Sequence, residues 1–251
     1  MSTYFKNFPS TPYSFGVNLP QVAYTNITAY VDVIDQVKDN ISFYRSYYIQ
    51  EGDRPDQLSH KIYGSADYYW TFFLLNDHLK EQGWPLTYDA LSKLVDKKHP
   101  NTVVETKDIF ANRFKVGQTV TGSSSGVSGR IMHRNLDLGQ IFIENSEIQV
   151  SDAGESTFRG NEVLTSQVGE NIESLTLIKS SSERDSVRYY VDGDNLHCDI
   201  DPHGDRPADK TPITQLEYYI AENDKLKAIK VIKPDTIRDV FREFQDQFIN
   251  G

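Results

Sequence analysis

The stretch from Tyr47 to Asp77 constrains the fold of this 251-residue chain more than any other. Its first residues overlap with Arg45–Ile49, a run rich in aromatic and β-branched residues that is typical of a strand. Pro55 suits the first turn of a helix, because its missing N–H would have no partner there, and Gly64 suits the end of that helix. Ser65 is placed to cap a second helix. The stretch therefore predicts a strand followed by two helices.

The second of these helices is apolar on nearly every side. Its apolar residues are Tyr68, Tyr69, Trp70, Phe72, Phe73, Leu74 and Leu75. A helix without a polar face has to be covered on more than one side. A small β-α-α unit can cover one side, so the rest of the chain or a partner protein must cover the other. Two interpretations stay open: docking of a partner through Tyr68, Tyr69 and Trp70, or the core of a small domain.

The same residues resemble a known domain. The pattern that resembles a LysM domain consists of Gly52-Asp53, Leu58-Ser59, Ile62-Tyr63-Gly64 and an aromatic helix ending in Leu74-Leu75-Asn76-Asp77. The fuller pattern, with Tyr47-Tyr48-Ile49, Arg54-Pro55-Asp56 and Tyr69-Trp70, is similar to the LysM-bearing baseplate wedge subunit of T-even-like contractile phages, the gene product fifty-three family. Later blocks at Arg188–Asp194 and Ala221–Pro234 follow in that family's order. The resemblance covers residues 1–104 and 183–251.

This resemblance and the remaining patterns predict an α+β fold. We expect a LysM-like β-α-α-β unit with an inserted small all-β domain and a C-terminal strand-helix segment. Residues 1–42 would form an extended N-terminal arm and a helix, with that helix favoured at 26–41, where valine and isoleucine also allow a strand at Tyr30–Ile34. Residues 43–104 would form the LysM-like domain, with Trp84-Pro85-Leu86 as its second strand and a helix from Thr87 to Lys97. Residues 105–182 would form the inserted domain, and 183–251 the C-terminal segment.

The expected insert differs in its sequence pattern from the rest of the chain. Phe114–Val120 and Phe158–Val163 are similar blocks forty-four positions apart, and Gln140–Glu144 alternates apolar and polar residues. Short strands with frequent glycine and polar turns are typical of a small antiparallel barrel or sandwich. Both forms are open at this point.

Turn and periodicity signals organise the C-terminal segment. Asp192-Gly193 predicts the turn of a β-hairpin within residues 187–200. A helix is expected from Ile213 to Asn223 and a strand from Leu226 to Ile232. A final amphipathic helix would then place five apolar side chains inward, namely Ile237, Val240, Phe241, Phe244 and Phe248.

Composition excludes several classes of function. The formal net charge is −10, so the chain lacks the positive field that attracts nucleic acid. Cys198 is the only cysteine, so no internal disulfide can form. The N-terminus has no apolar signal region, and no run of eighteen apolar residues occurs. We therefore expect neither a secretory signal nor a membrane span.

Two patterns could carry chemistry. The five residues from Gly122 to Gly126 fit the Gly-x-Ser-x-Gly pattern of a nucleophile elbow. That motif needs a strand-to-helix turn, whereas the sequence around this stretch is typical of β-strands. We interpret it as a flexible turn. His197, Cys198 and His203 are weak candidates for a metal site, with a spacing that follows no standard finger. The chain is thus expected to be no enzyme and to need no cofactor or metal.

The resemblance implies a structural virion protein of a contractile tail baseplate, which joins wedge subunits to each other around the hub. Its partners would be other wedge proteins, with hub or tube-proximal subunits as further candidates, and neither nucleic acid, membrane nor glycan. It would reside in the virion, and in the host cytoplasm during assembly. Candidate interface residues are Phe5, Phe8, Tyr13, Tyr68, Tyr69, Trp70, Phe241 and Phe244. The alternative is a LysM-type module that binds glycan such as peptidoglycan.

Overall fold

The computed structural model describes residues 10–14, 16, 20–25, 42–149 and 154–242. Helices and strands are mixed along the chain, which confirms the α+β class. Two compact units are present: residues 1–87 together with 222–251, and residues 88–221. The division into four segments stays a prediction. The helix expected at residues 26–41 lies outside the described residues.

Helices, strands and short 3₁₀ turns make up the described elements. In chain order they are β1 (Ser10–Tyr13), β2 (Val22–Thr25), β3 (Tyr44–Tyr48), α1 (Pro55–Tyr63), α2 (Trp70–Leu75), α3 (Asp77–Gln82), α4 (Tyr88–Lys98), β4 (Thr102–Thr106), β5 (Thr119–Gly122), β6 (Ser128–Asn135), β7 (Gln140–Ile143), β8 (Val163–Val168), β9 (Asn171–Ser182), β10 (Val187–Val191), β11 (His197–Cys198), β12 (Thr211–Thr214), α5 (Gln215–Leu226) and β13 (Ala228–Ile232). Short 3₁₀ turns lie at Ala66–Tyr68, Asn145–Glu147 and Glu183–Asp185, and residues 237–242 are helical. None of the described helices is both long and apolar enough to cross a membrane.

The start of the first unit follows the sequence closely. Helix α1 begins with Pro55 and ends at Gly64, whose φ of 74° is the left-handed conformation that glycine adopts without strain. The Ser65 hydroxyl accepts a hydrogen bond from the Asp67 backbone N–H and so caps the 3₁₀ turn before α2. The predicted order of strand, helix and helix is confirmed for this stretch.

The strand that pairs with β3 comes from the far end of the chain. Strand β13 runs antiparallel to β3, with Ile229 opposite Tyr47 and Val231 opposite Arg45. The prediction that Trp84–Leu86 would be this strand is wrong, because these residues form no strand. Pro85 has no N–H to donate to a sheet, whereas β13 alternates buried and exposed side chains and so has the period of a strand.

The core of the first unit lies between these two strands and the helices. Its buried apolar residues are Ile49, Leu58, Phe72, Leu79, Leu226, Ile229 and Val231. The Trp84 indole packs at the edge of this core, where its Nε1 donates to the carbonyl of Asp53 at 2.8 Å. Trp84 therefore contributes packing where the sequence suggested a strand.

The second unit contains a closed antiparallel barrel. Its strands are hydrogen-bonded in the order β4-β7-β6-β5-β8-β9, and β9 pairs with β4 to complete the closure. Of the two forms that the sequence left open, the barrel is therefore the one observed. Phe114 and Phe158, from the two similar sequence blocks, are both buried in its core. The first strand begins at Thr102, three positions before the expected boundary at 105.

A three-stranded sheet and helices complete the second unit. Strand β10 pairs with both β11 and β12. The connection from β10 to β11 turns at Asp192, whose carboxylate accepts hydrogen bonds from the backbone N–H groups of Asp194 and Leu196. The predicted hairpin is confirmed. Ile213 lies in β12, so the prediction that the following helix begins there is wrong. Its β-branched side chain suits a strand, and α5 begins two residues later.

Candidate protein-interaction surface

Three of the predicted interface residues meet in the first unit. The ring of Phe241, in the helical residues 237–242, lies 5.4 Å from the ring of Tyr68 and 6.2 Å from that of Trp70. Tyr68 also makes an edge contact with Tyr63 at 5.7 Å. These distances are typical of favourable aromatic pairs. We call Tyr68, Trp70 and Phe241 the aromatic cluster.

The aromatic cluster is largely internal. Trp70 is only 4% exposed, and a small core of Leu75, Ile232, Ile237 and Val240 lies against Tyr68. The C-terminal helical residues thus supply part of the second cover that the apolar helix required. Tyr68 and Tyr69 are half-buried, so each keeps part of its ring on the surface.

Tyr63 places a hydrogen-bonded polar group in this interior. Its hydroxyl donates to the carbonyl of Ile232 at 3.0 Å, which joins helix α1 to the end of β13. Burial raises the pKa of the Tyr63 phenol well above its ordinary value, and hydrogen bonding and the Arg45 charge only partly oppose this. The phenol therefore stays neutral and acts as a structural hydrogen-bond donor.

The hairpin β1–β2 presents an exposed apolar face. In its register Tyr13 is opposite Val22, and Tyr24 is two residues further along the same strand as Val22, so all three side chains lie on one face. Tyr13 is 55% exposed, and Val22 and Tyr24 are also exposed. We call Tyr13, Val22 and Tyr24 the hairpin face. The remaining interface candidates, Phe5, Phe8 and Phe244, lie outside the described residues.

A groove of about 400 Å³ also opens in the first unit. It is lined by residues of β3, β13 and the junction between α2 and α3, including Tyr47, Asn76 and His78. Asn76 is itself buried. Its amide donates to the carbonyls of Phe72 and Lys230 and accepts from the Lys230 N–H, so it ties the end of α2 to β13.

In the second unit, the serine-rich Gly122–Gly126 stretch forms the turn between β5 and β6. Glu162 is 4% exposed, and its carboxylate accepts hydrogen bonds from the backbone N–H and hydroxyl groups of both Ser124 and Ser125. The serines therefore hold a structural carboxylate. Sequence reasoning missed Glu162, because no local pattern links it to a turn nearly forty positions earlier.

The weak metal candidates do not converge on one point. His197 and Cys198 line a cavity in the second unit, whereas the Nδ1 atom of His203 lies 2.9 Å from the carbonyl oxygen of Lys107. Across the described ranges, no three His, Cys, Asp or Glu side chains are grouped so that they could hold a metal ion.

Comparison with known proteins identifies relatives for the N-terminal part of the chain. Residues 3–90 match a family model described as base plate wedge protein 53. Baseplate wedge protein gp53 of Enterobacteria phage T4 is 28% identical over 102 residues, which cover 39% of this chain and 51% of that protein. The chain thus spans about half the length of this curated relative. The resemblance to the baseplate wedge family that the Tyr47–Asp77 stretch predicted is confirmed, and its LysM part stays a prediction.

Proposed function

We propose that this chain is a structural protein of a contractile phage tail baseplate, where it joins wedge subunits to each other around the hub. The observation that carries the proposal is the match of residues 3–90 to the baseplate wedge family. The T4 relative, which bears the name of a baseplate wedge protein, supports the same role. Such a role works through buried contact area between proteins and requires no bond-making step.

The hairpin face suits this role. A two-stranded hairpin is only marginally stable by itself in water, so it gains from a surface that it can pack against. Tyr13 and Tyr24 supply large aromatic groups with few rotatable bonds, which are the side chains that most often anchor protein interfaces. We therefore assign the hairpin face as the first contact with a neighbouring wedge subunit.

The half-buried Tyr68 and Tyr69 are a second contact region in this proposal. The Tyr68 ring contacts the Phe241 ring, which in turn contacts the buried Trp70. A partner that covers them would bury aromatic area that is already held in one conformation, which lowers the entropic cost of binding. Trp70 then acts as support for the interface rather than as a contact.

The first unit also supports a LysM-like description. Strand β3, helices α1 and α2, and strand β13 make a β-α-α-β arrangement whose second strand lies on the far side of residues 88–221 in the sequence. We propose that the barrel of the second unit is an insertion into this LysM-like unit. The fold would then serve protein contact in the virion, and the chain would pass through the host cytoplasm during assembly.

A co-purification experiment tests the proposed function. The purified full chain would be mixed with a lysate of phage-infected cells, beside a Tyr13→Ala/Tyr24→Ala variant. An Ile172→Ala variant is the matched control, because Ile172 is 73% exposed and belongs to the barrel. We expect the unmodified chain and the control to retain baseplate wedge proteins, which mass spectrometry identifies. The hairpin variant should retain at least about tenfold smaller amounts of these proteins.

Glycan binding is the competing outcome of the same design. The groove beside Asn76 and His78 offers one place in the first unit for a glycan. Insoluble peptidoglycan would serve as a second bait. Saturable retention on peptidoglycan without any tail protein would contradict the baseplate role and favour a wall-binding module.

A further inference from the structure

Strand β3 lies at the edge of the two-stranded sheet that it forms with β13. At one end of the pair the Ile49 N–H donates to the Lys227 carbonyl at 2.9 Å, and at the other end the Phe43 carbonyl accepts from the Lys233 N–H at 2.9 Å. In an antiparallel pair, bonded positions alternate with positions whose backbone groups point away from the partner strand. The residues of β3 that turn their backbone groups outward are therefore Tyr44, Ser46 and Tyr48.

The outer edge of β13 is closed by side chains. The Asn76 amide bonds to both the carbonyl and the N–H of Lys230. The Tyr63 hydroxyl donates to the carbonyl of Ile232. One edge of this small sheet is thus protected against the addition of a further strand.

The outer edge of β3 has no such cover from the described residues. The Tyr48 carbonyl accepts from the Gln50 side chain at 2.9 Å, but the backbone groups of Tyr44 and Ser46 bond to no residue that the structure describes. Ser46 is exposed, and Tyr48 is 52% exposed. We call the outward backbone groups of Tyr44, Ser46 and Tyr48 the open edge. Such an edge can bind an extended segment of another protein through main-chain hydrogen bonds.

Two cations flank the open edge. Ser46 is opposite Lys230 and Arg45 is opposite Val231, so the Lys230 and Arg45 side chains lie on opposite faces of the sheet. The Lys230 ammonium is 4.7 Å from the centre of the Tyr44 ring, which brings it over β3. Both cations are exposed, and neither forms an ion pair within the described ranges.

The charge at this edge is opposite to that of the whole chain. The formal net charge is −10, yet each face of the open edge carries an unpaired cation. Asp77 lines the groove beside Lys230, but its carboxylate pairs with Lys80 at 2.8 Å. The open edge is therefore complementary to a segment that carries negative charge.

We propose that the open edge binds an extended acidic segment of a neighbouring protein as a third strand of this sheet. Main-chain groups of that segment bond to Tyr44 and Ser46, and its carboxylates pair with Lys230 on one face and Arg45 on the other. A second copy of β3 fits less well, because the cations of both copies would lie along one seam and repel each other. The identity of the neighbour as a baseplate subunit rests on the proposed function.

A synthetic peptide tests the proposal on the full chain. The probe has about eight residues, the length of an ordinary strand, with two adjacent glutamates at its centre and threonine and valine elsewhere. We expect saturable binding by fluorescence anisotropy, with a Kd below about 1 mM. At saturation the Ser46 amide should exchange its hydrogen at least about fivefold more slowly. The Tyr47 amide faces β13, so its exchange should not change.

Two altered peptides separate the main-chain contacts from the charge contacts. A peptide methylated at alternate backbone nitrogens lacks the N–H donors of the new ladder and should not bind. A peptide with glutamine in place of both glutamates should bind about fivefold more weakly, because two exposed ion pairs are lost. An Arg45→Gln/Lys230→Gln variant should bind the glutamate and glutamine peptides equally.

Ser46→Pro tests the open edge from the side of the protein. It removes an N–H that points away from β13, and proline is tolerated at such positions of edge strands. This variant should lose peptide binding, whereas Ser46→Ala, the matched control, should keep the affinity of the unmodified chain. Circular dichroism establishes that both variants fold. The methylated peptide tests the same contacts without any change to the protein.

Three results would overturn the third-strand site: no saturable binding of the glutamate peptide, unchanged exchange at Ser46 when it is bound, or equal binding of the methylated peptide. A concentration-dependent dimer of the unmodified chain that Ser46→Pro abolishes would also overturn it, because the edge would then belong to a second copy. None of these results affects the baseplate role, which fails only if the chain retains no wedge protein.

Discussion

Glu162 is the residue at which burial and hydrogen bonding oppose each other most clearly. Burial by itself would raise the pKa of this carboxyl group. The backbone N–H groups of Ser125, Arg159 and Ser124, with the Ser125 hydroxyl, donate to the charged form, and their combined effect outweighs burial. The pKa of Glu162 therefore lies below its ordinary value of 4.5, and the carboxylate stays charged inside the protein.

Replacing Glu162 with glutamine should destabilise the barrel. The change turns one of the two acceptor oxygens into an NH₂ donor that faces the donor groups of Ser124, Ser125 and Arg159. We expect the free energy of unfolding to fall by about 2 kcal/mol, since a buried charged hydrogen-bond network is broken. Urea unfolding followed by circular dichroism measures the change.

Glu170→Gln provides the comparison, because Glu170 is exposed in the turn between β8 and β9. Its free energy of unfolding should stay within about 0.5 kcal/mol of the unmodified chain. Equal stability of the two variants would show that the serine turn does not depend on the Glu162 charge.

The lowered pKa of Glu162 also predicts how stability depends on pH. A carboxyl group whose folded-state pKa is below its unfolded value contributes stability above the unfolded pKa, and this contribution is lost as the pH falls through the folded pKa. The gap in unfolding free energy between the unmodified chain and Glu162→Gln should therefore be constant from pH 7 to about pH 5 and shrink below about pH 4. A gap that widened in acid would contradict the assigned direction.

At the scale of elements, Asn76 joins a helix end to a strand. The carbonyl and N–H of Lys230 in β13 bond to its amide, which also donates to the Phe72 carbonyl. This side chain thus behaves like a short piece of a third strand beside β13. Without it, backbone groups at the edge of a two-stranded sheet would lose their partner.

Asn76→Ala should accordingly lower the free energy of unfolding of the first unit by about 2 kcal/mol, because three hydrogen bonds are lost around a buried position. Hydrogen exchange of the Lys230 amide should become faster in the same variant. Glu81→Ala, on the exposed side of α3, is the control and should leave both quantities unchanged. Unaltered exchange at Lys230 would rule out this role for Asn76.

The elements themselves were more predictable than their pairing. Pro55, Gly64 and Ser65 act through backbone geometry within a few residues, so their effects on α1 and the following turn can be read locally. The pairing of β3 with β13 joins residues 180 to 188 positions apart, and no local pattern specifies which of two apolar runs is the partner. Trp84 was the nearer choice and was wrong for that reason.

Long-range contacts also limited how much of the candidate surface could be predicted from the sequence. The sequence indicated that the apolar helix needs a second cover, and Phe241 provides part of it from the other end of the chain. The aromatic character of the hairpin face was visible, but the pairing that aligns Tyr13 with Val22 was not. The cavity that His197 and Cys198 line draws on segments that are separate in the sequence and have no common motif.

At the scale of the whole molecule, the chain contains two units that differ in their arrangement of helices and strands. Residues 3–90 match the wedge family model and nearly all belong to the first unit, whereas the barrel strands of the second unit lie outside that match. The contacts proposed for the baseplate role, at the hairpin face and at Tyr68 and Tyr69, all belong to the first unit.

The composition of purified particles tests the central claim most directly. Contractile phage particles that encode this chain would be purified, their baseplates isolated, and the proteins quantified by mass spectrometry. The account predicts that the chain is present in the baseplate fraction in a fixed ratio to the other wedge proteins. Its absence from purified particles, with the chain abundant in the infected cells, would contradict a structural role in the baseplate.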